Sequence, residues 1–248
     1  MKPKILFFDI ETTPNKGYVW EKHDTDVIAF ESYWHLLSFS AKWSGGKQIT
    51  RGLIDYEGYE HNKNDDRKIT LDLWKLFDEA DILVAHNGDQ FDIKKTTARF
   101  AYHKLPPPSP YFSIDTLKLA KRHFNFVSNS LDDLGDMLNL GRKENTGGFK
   151  LWKDCMAGDK KAWRLMKKYN AQDVILLEKV YLRFRPYMKT PLVYSSEYCC
   201  PKCGSNHIQA RGVALSGGMA RQRYQCIDCG GWFQGAKGER INYPNKNL

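Results

Sequence analysis

Two acids, Asp9 and Glu11, stand one residue apart at the end of the apolar run KILFFDIETTP, residues 4–14. Side chains at i and i+2 of a strand point to the same face. The two carboxylates therefore converge, and anions held that close raise one another's pKa unless a cation joins them. A hard divalent ion such as Mg²⁺, which takes oxygen ligands, meets that need; a strand ending in an acidic turn is the alternative. A further acid, Asp92, closes the stretch HNGDQFD (86–92), where a strand gives way to a helix. It either complements the helix dipole or reaches the same ion. In KKYNAQDVILLEKVYLRF (167–184), Tyr169 and Asp173 are four apart and share a helix face. Asp173 borders the apolar positions Val174, Leu177, Val180, Tyr181 and Phe184, and an acid at such an edge needs a partner; a Tyr–Asp pair facing solvent is the alternative.

The cysteines point to different chemistry. Of six, only Cys155 precedes residue 199, and Cys199, Cys200, Cys203, Cys226 and Cys229 crowd the end. CCPKCG (199–204) and CIDCGGWF (226–233) form two C-x2-C pairs separated by twenty-two residues. Paired thiolates with this spacing suit tetrahedral Zn²⁺ rather than a disulfide framework. The expected ligands are Cys200, Cys203, Cys226 and Cys229, with Cys199 a competitor for Cys200 and His207 a surface residue.

Strands and helices must position these groups. Strands are expected at 4–9, 33–43 and 47–54, the last two joined at Ser44-Gly45-Gly46, and short strands at 81–87 and 111–115. Helices are expected at 69–80, 91–103, 115–124 and 128–140, the last capped by Ser130, then at 158–168 and 169–184. A polar loop fills 58–67, and PPPSP (106–110) is a rigid connector. GRKENTGG (141–148) reads as a flexible basic loop. This order predicts an α/β domain over 1–190, then a small module over 195–248, with Pro186 and Pro191 at the boundary.

The order D-x-E, then H-N-G-x-x-F-D, then Y-x-x-x-D resembles the DEDD 3′–5′ exonucleases, above all the proofreading domains of family B DNA polymerases and their stand-alone relatives. SLDDLGDMLNLGRK (130–143) resembles their segment between the second and third motifs. The resemblance spans residues 4–184. It implies a ribonuclease H-like mixed sheet flanked by helices. Asp9, Glu11, Asp92 and Asp173 match the metal-binding carboxylates, and Tyr169 the tyrosine of the DEDDy branch; Lys168 stands where the sister branch has histidine. Thr12, Asn87 and Phe91 match positions near the substrate, while Pro14 departs from the family's glycine. The implied reaction is hydrolysis of single-stranded nucleic acid, DNA favoured, from the 3′ end to nucleoside 5′-monophosphates. Two Mg²⁺ or Mn²⁺ ions about 3.5–4 Å apart would activate water and stabilise the leaving 3′ oxygen. Tyr169 would orient that water, because a phenol of pKa about 10 is a poor base at neutral pH.

The C-terminal module resembles a zinc ribbon with one structural Zn²⁺. From residue 189 onward eight Lys/Arg face three Asp/Glu, +5 of the chain's net +9. Such a balance suits a polyanion, with Arg221 and Arg223 on one strand face as phosphate contacts. Tyr224 and Trp232 either stack bases or form the ribbon's small core. An endonuclease of the same fold and a catalytically silent nucleic-acid adaptor are the other readings. A polymerase is not expected, since nothing remains of the chain to build its catalytic domain. No apolar run approaches the ~18 residues of a membrane span and no signal-peptide pattern opens the chain. The expectation is an intracellular protein without membrane contact, with a replication or repair protein as a further partner.

Overall fold

A computed structural model describes residues 3–23, 26–188 and 199–240. Its strands are β1 Ile5–Thr12, β2 Lys16–Tyr18, β3 Ala29–Ser32, β4 Leu36–Trp43, β5 Gln48–Gly52, β6 Ile82–Ala85, β7 Phe112–Asp115, β8 Ile208–Ser216, β9 Met219–Cys226 and β10 Trp232–Arg240. Its helices are α1 Arg67–Glu79, α2 Asp92–Tyr102, α3 Thr116–His123, α4 Leu131–Met137, α5 Lys150–Ala157 and α6 Lys160–Phe184. The chain divides into two compact units, Lys4–Val180 and the part from Tyr181 onward. The boundary expected at 190–195 lies outside the described residues.

The larger unit carries a mixed five-stranded sheet in the order β5-β4-β1-β6-β7. β4 runs antiparallel to β1 and β5, while β6 lies parallel to β1 and β7. With neighbours on both edges, β1 buries Leu6, Phe7 and Phe8 completely. Phe8 meets Phe77 of α1 edge-on at 4.9 Å, and Phe77 meets Phe100 of α2 at 5.5 Å. α2 is tied down further by the buried Asp66. Its carboxylate accepts from Leu36 N–H at 2.8 Å and from the Arg99 guanidinium at 2.7 and 2.5 Å, and His103 Nε2 lies 2.6 Å away. Burial raises the Asp66 pKa, but the Arg99 bonds and their neighbours outweigh it and hold the group below its ordinary value. This ion pair links α2 to β4, and so fixes the helix that begins with Asp92.

One expectation is corrected and two elements are added. The helices expected at 158–168 and 169–184 are one helix, α6, because Lys160–Phe184 contains no Gly or Pro to break it. α5 was not anticipated; it buries Leu151 and Cys155 and stops at Gly158, whose φ of +95° suits a glycine C-cap. The β2–β3 hairpin was missed because its strands span three and four residues, too short for a period to register. The turn at Ser44–Gly46 and the Ser130 cap, which accepts from Asp133 N–H, stand as expected.

The second unit holds a three-stranded sheet, β10-β9-β8. Tyr224 stacks on Phe233 at 5.4 Å, and the Arg223 guanidinium sits 5.2 Å from the ring centre of Trp232. Trp232 is 45% exposed, so it is no core residue of the module. No helix among the described residues is long and apolar enough to cross a membrane.

Candidate functional site

Asp9 and Glu11 project from the same face of β1, and Asp173 comes to them from α6. Carboxylate oxygens of these three lie within 4.8 Å of one another. Asp173 is buried; its Oδ2 accepts from Lys143 Nζ at 2.6 Å, while its Oδ1 has no hydrogen-bond partner. A buried carboxylate oxygen left unpartnered is costly unless a cation takes it. The three oxygens and this vacant acceptor thus form a hard, oxygen-only donor set that fits Mg²⁺ or Mn²⁺.

Asp92 is not one of these three. It is buried at the start of α2, and its Oδ1 accepts from Ile10 N–H at 3.2 Å, between the two acids of β1. The pairing of β6 with β1 ends at Phe7, so Asp92 satisfies a backbone donor that no strand reaches. It stands close enough to be the largest charge raising the Asp9 pKa after burial itself.

Three residues that the sequence reading missed shape the cluster. Asn170 is fully buried; its Nδ2 donates to Asp9 Oδ2 at 2.5 Å, and its Oδ1 accepts from Ser38 Oγ at 3.3 Å. It lies three residues before Asp173, so helical spacing alone could have placed it on that face. The indole of Trp152 of α5 stands near enough to Glu11 to oppose the rise in its pKa, and its ring meets Tyr169 edge-on at 6.2 Å. Lys143 belongs to the loop expected to be flexible. Asp132 of α4 accepts from its backbone N–H at 2.7 Å, and its ammonium reaches Tyr169 Oη at 3.4 Å as well as Asp173. No local pattern links Lys143 to a helix that begins seventeen residues later.

Burial, then mutual repulsion, pushes the carboxylates up: Asp9 well above its ordinary value and Glu11 to about 8. Burial likewise raises Asp92 to about 7, and Asp173 despite Lys143 beside it. Burial alone would lower Lys143, but Asp173 and the other acids raise it, so it stays an ammonium ion. Tyr169 is driven upward by burial and then by Asp173, Glu11 and Asp9, which keeps the phenol protonated.

These shifts carry a pH prediction. The unfolded chain releases its protons near 4.5 for Glu and 3.8 for Asp, the folded chain near 8 for Glu11 and 7 for Asp92. Between those limits the folded state holds protons that the unfolded state has lost. The resulting stability is present at low pH and is lost as pH rises through about 7–8. Burial lowers His35 from 6.5 and His86 to about 4, which costs stability below 6.5 but not above it. In buffer freed of Mg²⁺ and Mn²⁺, Tm is therefore expected to fall between pH 6.5 and 8. The fall is about 2–4 °C for each kcal/mol lost. A flat or rising Tm across that window would contradict the placement of these acids.

Thr12 lines a cleft of about 510 Å³ beside Glu11, together with Lys95 and Trp152. Asn87 adopts a left-handed turn (φ +64°) and donates its N–H to Asp115 Oδ1 at 2.9 Å. Phe91 is 38% exposed, with Lys95 Nζ 5.4 Å from its ring centre. The contacts of these two lie instead with Asp115 and Lys95. Arg221 and Arg223 lie on β9 of the second unit; Arg223 Nε donates to Arg211 O at 2.9 Å.

In the second unit Cys200, Cys203, Cys226 and Cys229 bring their sulfurs within 4.8 Å of one another. The Cys200–Cys229 and Cys203–Cys226 sulfur separations are 3.8 and 3.6 Å. A tetrahedron with Zn–S bonds of about 2.3 Å has edges of about 3.8 Å, so the four fit that ion. Cys199 is buried outside the set, and His207 is instead 3.1 Å from Asp228.

Among solved structures, the family B DNA polymerase from the hyperthermophilic archaeon Pyrobaculum calidifontis matches with a TM-score of 0.53 and 17% identity, over 75% of this chain. The match covers 25% of the polymerase chain and shows a shared fold. No curated protein matches the sequence. Residues 42–184, more than half of the chain and including Asp92, Tyr169 and Asp173, match the sequence profile of the RNase H superfamily. Together with the mixed sheet and the acids at the end of its central strand, that match makes this chain a member of the RNase H superfamily.

Proposed function

We propose that the chain is a metal-dependent 3′–5′ exonuclease of the DEDDy type, acting on single-stranded nucleic acid, with DNA favoured. The observation that carries this reading is the convergence of Asp9, Glu11 and Asp173 around an unpartnered Asp173 oxygen, with Tyr169 alongside. Asp9, Glu11, Asp173 and, from the start of α2, Asp92 would hold two Mg²⁺ or Mn²⁺ ions. Such ions, when bound, supply Lewis-acid stabilisation of phosphate charge and an acidified water.

The chain's own groups do the rest. Asn170 holds Asp9 in one orientation by its hydrogen bond, and the Trp152 indole stands beside Glu11. The Tyr169 phenol, kept protonated, orients the attacking water by hydrogen bonding and takes no proton from it. Lys143 balances part of the negative charge on Asp173 and presents an ammonium to the incoming phosphate. Thr12 lies in the cleft beside Glu11, where the 3′-terminal nucleotide is expected to sit. In the second unit, the four cysteines would hold one structural Zn²⁺, and Arg221 and Arg223 add phosphate contacts.

The test is digestion of 5′-labelled single-stranded DNA and RNA of matched sequence with Mg²⁺ or Mn²⁺, beside a circular single strand. The expected result is a ladder shortening from the 3′ end, with the circle intact and both activities absent from Asp9→Ala and Asp173→Ala. Cutting of the circle would replace the exonuclease with an endonuclease. No cleavage with either metal would leave a binding protein.

A further inference from the structure

The β2–β3 hairpin exposes aromatic surface that no interior needs. Trp20 is 85% exposed, Tyr33 72% and Tyr18 60%. Isolated exposed apolar side chains are ordinary, but clustered aromatics mark a contact surface. A two-stranded hairpin is marginal by itself, so its root must be held. Thr13 N–H donates to His35 O at 3.0 Å, His35 N–H to Thr13 Oγ1 at 3.0 Å, and Trp34 N–H to Asn15 Oδ1 at 2.8 Å. The anchoring residues follow Glu11 directly, so the hairpin is fixed to the acidic site.

The two faces of the hairpin differ in what covers the backbone, Val27 and Phe30 on one, 41% and 46% exposed, and little on the other. A Cβ on Gly17 would lie 2.3 Å from Val27 Cγ1, so Val27 packs directly over Gly17, and Phe30 pairs opposite it. Lys16 and Tyr18 alternate to the other face. There Tyr18 pairs with Ala29, a residue too small to cover its ring. Lys16 also lines a cleft of about 630 Å³ with Glu31 and Lys153. That cleft shares Pro14 and Phe149 with the cleft beside Glu11, which carries Lys95. The two clefts adjoin at these residues and together carry three lysines to one glutamate, a groove between the residues that follow Glu11 and the hairpin.

We infer that this groove and the less covered face of the hairpin form the track for the single strand that feeds the acidic site. Phosphates lie along Lys95, Lys153 and Lys16, and bases stack on Tyr18 and Trp20. The inference rests on the nuclease reading above and extends it to substrate form. A duplex hides its base faces, whereas a single strand presents them to aromatic rings. Residues 16–32 carry four acids, Glu21, Asp24, Asp26 and Glu31, against Lys16 and Lys22, so beyond Lys16 the hairpin disfavours phosphate and receives bases.

The test compares wild type with Tyr18→Ala/Trp20→Ala by fluorescence anisotropy of labelled dT20 and dT3, without divalent cations. Both residues are exposed, so the Tm of the variant should match wild type. The expected result is about a tenfold weaker Kd for dT20, an unchanged Kd for dT3 and an unchanged salt dependence. An unchanged dT20 affinity would overturn the track, as would equal losses for both lengths. So would a shift from dimer to monomer on size exclusion with no change in binding, which would give the hairpin to a protein contact. Digestion of dT20 with Mn²⁺ separates the two claims. A wild type that cuts while the variant keeps its KM loses only the track; a wild type that binds through the hairpin but never cuts loses only the nuclease reading.

Discussion

Asp9→Asn is expected to lose more than about a hundredfold in Mn²⁺-dependent digestion while making the metal-free protein melt higher. The two effects have one cause. Asp9 is held well above its ordinary pKa by burial, then by Asp92, Glu11 and Asp173. The folded state therefore contains a group whose charge it disfavours, and the unfolded chain does not. Asparagine is nearly the same size, and its carbonyl oxygen can still accept from Asn170 Nδ2, now 2.5 Å from Asp9 Oδ2. The substitution removes the repulsion and keeps the packing. A gain of about 1–2 kcal/mol corresponds to about 2–8 °C in Tm for a chain of this size. Adding Mn²⁺ should raise the Tm of wild type and leave the variant nearly unchanged. The measurements are thermal unfolding with and without Mn²⁺ and digestion of a labelled strand. A variant that melts lower without metal, or that still digests, would remove Asp9 from the site.

The second large effect is expected at the cysteines. Purified protein should carry one zinc per chain, and Cys203→Ser should carry almost none. In the described part of the module, the buried residues among its apolar and charged side chains are Cys199, Cys200, Cys226 and Lys202. Val213, Leu215 and Trp232 of its sheet are exposed, as is Ile227 just after β9, and Tyr224 and Phe233 are only half-buried. A sheet with so little apolar burial needs another source of folding energy. Structural zinc sites supply about 10–16 kcal/mol in small domains, far more than this sheet's contacts could replace. Loss of metal should therefore open β8–β10 to trypsin at Arg211, Arg221 and Arg223. Metal analysis and timed proteolysis of wild type and Cys203→Ser check both parts. Equal zinc content, or a module equally resistant without it, would make the cysteine cluster incidental.

Much of this architecture was readable because it is written in short-range periods. Alternation places Asp9 and Glu11 on one face of a strand, and a four-residue step does the same for Tyr169 and Asp173 on a helix. The C-x2-C pairs need only a turn each to converge. The main sheet strands and most helices follow from the same periods and from caps such as Ser130. Where the signal was shorter than a period, the reading failed, as it did for β2 and β3. Between Gly148 and Gly158, the short stretch that forms α5 was assigned to no element.

What the tertiary structure alone decided is how separate stretches close on one another. The sequence by itself determined that three acidic places and four thiols were available. It held nothing to say that Lys143, from a loop, would meet Asp173, or that Asn170 would hold Asp9 across 161 positions of chain. Nor could it show Asp92 turned to the backbone of Ile10 and outside the group formed by Asp9, Glu11 and Asp173. Local patterns are set by the geometry of one element, whereas these contacts depend on how far each element travels before it packs. That distance is fixed by the buried core and by the Asp66–Arg99 pair that seats α2.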